Sequence, residues 1–237
     1  MSLAAGDRLG VHEIVGPAGR SFVMIRLVAL IIAAALPAHA RAQAATSRLV
    51  RIVLIVDATD SIRQPIGMIR KALVSFVEDI DARHEMMLVT VAGTPQIRVR
   101  PTGDRQEIVK SVNGIFGTSG ANRMNRIIDD LFHRFAQPAD RRPIFVVLTT
   151  EGYESTQNIN PQEIAHVTNH FVENGGTLHA VRLQIPGMPS TFREGNVTDL
   201  PVSLMIARDT NGAYTNISPA GLLEVLSRLA TVINEEP

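Results

Sequence analysis

Asp57, Thr59 and Ser61 alternate along Asp57-Ala58-Thr59-Asp60-Ser61, directly after the apolar run at residues 50–56. A carboxylate and two hydroxyls delivered by the end of a buried strand make a compact set of hard oxygen donors. Such a set suits a small divalent cation, because Mg²⁺ prefers oxygen ligands and keeps several of its waters. The competing chemistry is local: Ser, Thr and Asp side chains in a turn also cap the following helix and bond its backbone. Asp60 adds a second negative charge, able to attract a cation or to cap that helix.

Two later segments carry groups of the same kind. Phe116-Gly117-Thr118-Ser119-Gly120 is a glycine-flanked loop, and Thr149-Thr150-Glu151-Gly152 follows the apolar run at residues 144–148. For these to meet Asp57, the chain must be wound so that its strand ends share one edge.

The pattern from residue 50 onward predicts that winding. Residues 50–56 and 144–148 are continuous β-branched and aliphatic runs, as expected of central parallel strands covered on both faces. Residues 86–91 and 178–183 read as further strands. Residues 96–100 alternate polar and apolar, which suits an exposed edge strand after the Gly93-Thr94 turn. Ile66, Ile69, Leu73, Phe76, Val77 and Ile80 repeat at helical spacing after Pro65. Met124, Ile127, Ile128, Leu131 and Phe135 form a second helical stripe, and Ile164, Val167 and Phe171 a third, between Pro161 and Gly175-Gly176. Leu222 to Val232 marks the last. Alternating strands and helices imply an α/β fold: a doubly wound, mostly parallel sheet with helices on both faces and one antiparallel edge strand. Right-handed crossovers place successive strand ends along one edge, where ligands bind in open α/β sheets.

The order of these segments resembles the von Willebrand factor type A (vWA) domain. That family's metal-ion-dependent adhesion site (MIDAS) combines an Asp-x-Ser-x-Ser strand end, a threonine in a glycine-containing loop, and an aspartate after a later strand. The resemblance covers most of residues 48–235, including the segment Ile206 to Gly212 and a final amphipathic helix. Carried over, it assigns Asp57, Thr59, Ser61 and Thr118 as metal ligands, with Thr59 in place of the family's middle serine. At the last position the family's Thr-Asp-Gly becomes Thr150-Glu151-Gly152, so either Glu151 or Thr150 completes the set. The resemblance implies Mg²⁺, or Mn²⁺ or Ca²⁺, held by these oxygens and by waters. One water is replaced by a carboxylate of a protein partner. It implies a binding module, not an enzyme. The alternatives are a vestigial metal site with metal-independent partner binding, or a hydrolase.

Other chemistry is weaker. His166 and His170 are four apart on a predicted helix, a zinc-compatible spacing, but no glutamate follows His166 as in the metalloprotease pattern. The wheel places them opposite Ile164 and Phe171, as solvent-facing histidines, and His133 and His179 read as surface positions. No Gly-x-Ser-x-Gly elbow supports a serine hydrolase. Residues 184–201 read as a long polar connection at the sheet edge of Asp57, either a recognition loop or a merely mobile one.

The 23 basic and 23 acidic residues cancel, which gives no reason to expect nucleic acid or an anionic membrane surface as partner. The chain has no cysteine, which excludes disulfides, thiolate zinc sites and cysteine nucleophiles. At 237 residues it buries enough apolar surface to fold without covalent staples, so export stays open to it. Export is what the N-terminus suggests. Arg26, an apolar run at 27–36, Pro37 and the small-residue patterns through Ala42 have the three parts of a secretory signal peptide. The run is shorter than the roughly 20 residues of a membrane span. The expected organisation is a leader at 1–23, a signal-like segment at 24–42 and a vWA-like domain at 43–237. The expected destination is the periplasm or the extracellular space, or the membrane through an uncleaved signal. Residues 6–16 resemble the entry to a bacterial Ser/Thr protein kinase, but no kinase motif follows, and Met24 is the more plausible start.

Overall fold

The computed structural model describes residues 49–120, 124–136, 141–150, 161–186 and 202–235. The signal-like segment, Glu151 and residues 187–201 of the polar connection lie outside the described residues. All described residues fall in the compact unit Ala45–Pro237.

The strands are β1 (Val50–Asp57), β2 (Glu85–Ala92), β3 (Thr94–Thr102), β4 (Arg142–Thr150), β5 (Thr177–Leu183) and β6 (Tyr214–Ile217). The helices are α1 (Ile66–Asp79), α2 (Arg105–Asn113), α3 (Met124–Phe135), α4 (Pro161–Glu173), α5 (Val202–Asp209) and α6 (Leu222–Glu235). Among the described residues the strands form one sheet in the order β3-β2-β1-β4-β5-β6. The β2–β3 pair is antiparallel and every other pair is parallel. The expected mixed, doubly wound architecture is therefore present.

Successive side chains of a strand point to opposite faces, and β1 uses this to feed two apolar layers. Ile52, Leu54 and Val56 pack with Ile69, Leu73 and Phe76 of α1 and Leu226 and Ile233 of α6. Val53 and Ile55 pack with Ile128 and Phe132 of α3, Phe171 of α4 and Ile206 of α5. Phe76 and Phe171 are fully buried, and truncating either to alanine would cost about 3–5 kcal/mol. These two layers hold β1 rigid, so the backbone that delivers Asp57 has little freedom.

Three elements depart from the sequence expectations. α2 buries only Ile108 and Val112, and its start is set by Asp104, whose carboxylate accepts from the N–H groups of Gln106 and Glu107. α5 is eight residues long and β6 four, both too short for a clear periodic signal. His179 is a further correction. It lies buried in β5, 3% exposed, with Nδ1 accepting from the Ala213 N–H at 3.1 Å. Burial, with Arg142 nearby, lowers its pKa to about 4.

Candidate metal and partner-binding site

β1 ends against β2, where the Ala58 N–H donates to the Val91 carbonyl at 2.8 Å. The chain then turns through a short 3₁₀ segment, Asp60–Ile62, toward α1. Asp57 organises this turn. Its Oδ1 accepts the Thr59 N–H at 2.9 Å, and its Oδ2 accepts the Thr150 N–H at 3.2 Å and the Thr150 hydroxyl at 2.6 Å. A buried carboxylate is costly unless it is hydrogen-bonded, and three donors meet that demand here.

The sheet order explains why Thr150 is the donor. The chain leaves β1 toward β2 on one side and later returns to β4 on the other, so β1 and β4 flank the topological switch point. Val56 of β1 pairs with Leu148 of β4, which sets the ends of the two strands level. Ligands of open α/β sheets bind in the crevice such a switch point creates.

Three hydroxyls continue from the carboxylate. Thr150 Oγ1 lies 2.8 Å from Ser61 Oγ, which lies 2.7 Å from Thr59 Oγ1. An ionised carboxylate only accepts, so the Thr150 proton points to Asp57. The Ser61 proton then points to Thr150, and that of Thr59 to Ser61. Each hydroxyl oxygen has two lone pairs. In this ordering Ser61 and Thr150 each keep one free, and Thr59 keeps both. All four residues are at most 5% exposed.

The glycine-flanked loop meets the same turn. Thr118 forms a parallel bridge with Thr59, and its N–H donates to the Ala58 carbonyl at 2.8 Å. Its hydroxyl reaches that carbonyl at 3.5 Å, the outer limit of hydrogen bonding. The two glycines permit this approach. A Cβ on Gly117 would stand 2.9 Å from the Thr59 carbonyl oxygen, and one on Gly120 would stand 2.4 Å from the Ala92 carbonyl carbon. Asp60 is engaged elsewhere, in a surface ion pair with Arg63 at 2.8 Å.

Residues 52–152 match the family model described as the von Willebrand factor type A domain. The chain carries a vWA domain. Solved structures agree with this fold. A von Willebrand factor type A protein from Catenulispora acidiphila aligns at a TM-score of 0.60 and 15% identity, over 78% of this chain and 43% of that one. The conserved hypothetical protein BatB from Bacteroides thetaiotaomicron aligns at 0.56 and 14% identity, over 78% and 98%. The vWF domain of the type V pili tip protein Mfa5 from Porphyromonas gingivalis aligns at 0.58 and 11% identity, over 78% and 95%. The chain thus spans less than half of the first of these structures and nearly all of the other two. No curated protein matches it.

The donor set of this vWA domain fits a small hard cation. Adjacent ligands around an octahedral Mg²⁺ at 2.0–2.1 Å are about 2.9 Å apart. The linked oxygens of Asp57, Thr150, Ser61 and Thr59 are separated by 2.6–2.8 Å, close to that spacing. Among the predicted site residues, the fold brings Asp57, Thr59 and Ser61 into one hydrogen-bonded group and sets Thr118 beside them. Thr150, the alternative to Glu151 in sequence, is in the group. Glu151 lies outside the described residues.

Proposed function

We propose that this chain is an exported vWA-type binding module that engages a protein partner through a divalent cation. Asp57, Thr59, Ser61 and Thr118 hold the ion, with Thr150 or Glu151 completing the set. The observation that carries the reading is the chain of oxygens from Thr59 through Ser61 and Thr150 to Asp57 at the switch point of the sheet. When bound, the ion supplies a directional electrostatic link to a carboxylate of the partner. The residues of the chain fix where that link forms: Asp57 supplies the negative charge, the hydroxyls supply neutral oxygens, and Gly117 and Gly120 keep the Thr118 loop close.

Two solved structures of similar fold support the protein-binding reading through their own roles, a pilus tip protein and the pilus adhesin SpaC from Lactobacillus rhamnosus GG. Export rests on the signal-like segment at 24–42. Among the described residues, no helix is long and apolar enough to cross a membrane.

A second reading has its own observation. The four oxygens already bond to one another, so the group is stable without an ion, as a vestigial site would be. Calorimetric titration with Mg²⁺ and Mn²⁺ separates the two, with Asp57→Ala as control. The metal reading expects heat and saturation that the variant abolishes. Identical heats for the two proteins overturn it, and partner capture indifferent to chelator selects the vestigial site.

A further inference from the structure

Helices α3 and α4 each carry an i, i+4 pair of metal-ligating side chains, and the two pairs face one another. Asp129 and His133 come from α3, and His166 and His170 from α4. One ligand atom from each of the four lies within 4.8 Å of every other. His166 is exposed, as the sequence leads one to expect, whereas His170 is half-buried, and the two form one half of a cluster. Their rings are 4.1 Å apart at the centroids, and His133 sits 4.6 Å from His170. The His170 side chain is only 20% exposed and stacks against Phe132.

The polar atoms at the centre of this cluster are poorly served by the protein alone. Asp129 Oδ1 lies 3.5 Å from His133 Nε2 and 3.6 Å from His170 Nδ1, within ion-pair range but at or past the outer limit of hydrogen bonding. Asp129 Oδ1 and His170 Nδ1 are both buried atoms with no hydrogen-bond partner among the described residues. A buried carboxylate oxygen and a buried imidazole nitrogen that approach each other without a hydrogen bond cost free energy that a shared ligand would offset.

We propose that Asp129, His133, His166 and His170 bind one Zn²⁺ ion that clips α3 to α4. Three imidazoles and one carboxylate are borderline donors that suit Zn²⁺ and disfavour Mg²⁺ and Ca²⁺. This separates the cluster chemically from the all-oxygen group at Asp57. Tetrahedral ligands at the usual zinc distances are about 3.4 Å apart, so the cluster must contract. His133 and His166 are exposed, which leaves their rings free to turn inward and leaves the ion a path of entry. Four protein ligands close the coordination sphere, as in structural zinc sites, so the ion's role is to fasten the two helices. Beneath the cluster, Phe132 and Phe171 lie 4.5 Å apart and already pack α3 on α4, so the helices are held in register before the metal arrives.

The test is titration of the untagged full chain with Zn²⁺, and with Co²⁺ as an optical probe, in excess Mg²⁺. The expected result is a single Zn²⁺ per chain and the intense visible absorption of four-coordinate Co²⁺. Both are lost in His133→Ala and in His170→Ala and kept in Asp57→Ala. His133→Gln serves as a second variant, since an exposed position tolerates it, and thermal unfolding without metal should match the parent. Zn²⁺ should raise the melting temperature of the parent and leave both His133 variants unmoved. Binding that survives either histidine change, or a weak six-coordinate Co²⁺ spectrum, overturns the proposal.

Discussion

Thr150 and Asp57 are 93 residues apart in sequence, and the Thr150 hydroxyl donates to Asp57 Oδ2 at 2.6 Å. The contact ties the ends of β1 and β4 together at the switch point of the sheet. It follows that the carboxylate stabilises the fold as well as serving as a candidate ligand. Asp57→Asn keeps the shape but sets an amide where two Thr150 donors now converge. We expect a loss of about 1–3 kcal/mol in urea unfolding, with no Mg²⁺-induced rise in melting temperature. Unchanged stability would contradict the hydrogen-bonded role of Asp57.

Thr150→Val removes the hydroxyl with little change in volume. Ser61 then loses its partner toward Asp57, at an expected cost of about 1–2 kcal/mol. Comparing this variant with Glu151→Gln assigns the last ligand. If Thr150 completes the site, calorimetry will show Mg²⁺ affinity falling in Thr150→Val and holding in Glu151→Gln. The opposite pattern assigns the role to Glu151.

How much of this was visible in the sequence depends on how local each signal is. β1 and β4 announce themselves as unbroken β-branched runs because both faces are buried. Asp57, Thr59 and Ser61 fall within five residues, so their joint chemistry could be read directly. Thr150 could be named only as an alternative, because one residue of strand register decides which side chain reaches the crevice. α2 leaves little signal in the sequence because its buried face amounts to Ile108 and Val112. His179 reads as a surface position in sequence because one polar residue in an apolar strand does not reveal that both faces are covered. The cluster of Asp129 with three histidines was invisible for another reason. Each helix supplies only half of it, and the two halves are joined by the packing of α3 on α4.

Gly117→Ala tests the approach of the Thr118 loop. The new Cβ would meet the Thr59 carbonyl oxygen at 2.9 Å and Arg63 Cγ at 2.8 Å. Arg63 can swing away, whereas the backbone oxygen cannot, so the loop must shift. The expected penalty is about 1–3 kcal/mol, together with weaker Mg²⁺ binding in calorimetry. Gly67→Ala is the control, since a Cβ there meets nothing within 4 Å. In the first turn of α1 that change should be neutral or stabilising by up to about 1 kcal/mol.

His179 makes stability depend on pH in a stated direction. Burial lowers its pKa from 6.5 to about 4, so the folded protein holds the neutral ring where the unfolded chain would be protonated. The unfolded state therefore binds more protons in this window. The stability due to this group is fully present above pH 6.5 and is lost progressively as pH falls toward 4. The shift corresponds to about 3 kcal/mol at most. His179→Leu removes the titration and also leaves the Ala213 N–H without its acceptor. The variant should lose about 1 kcal/mol at pH 7.5 yet show a flatter stability profile between pH 6.5 and 4 in urea unfolding. A variant profile as steep as the parent's would show that other groups govern the acid response.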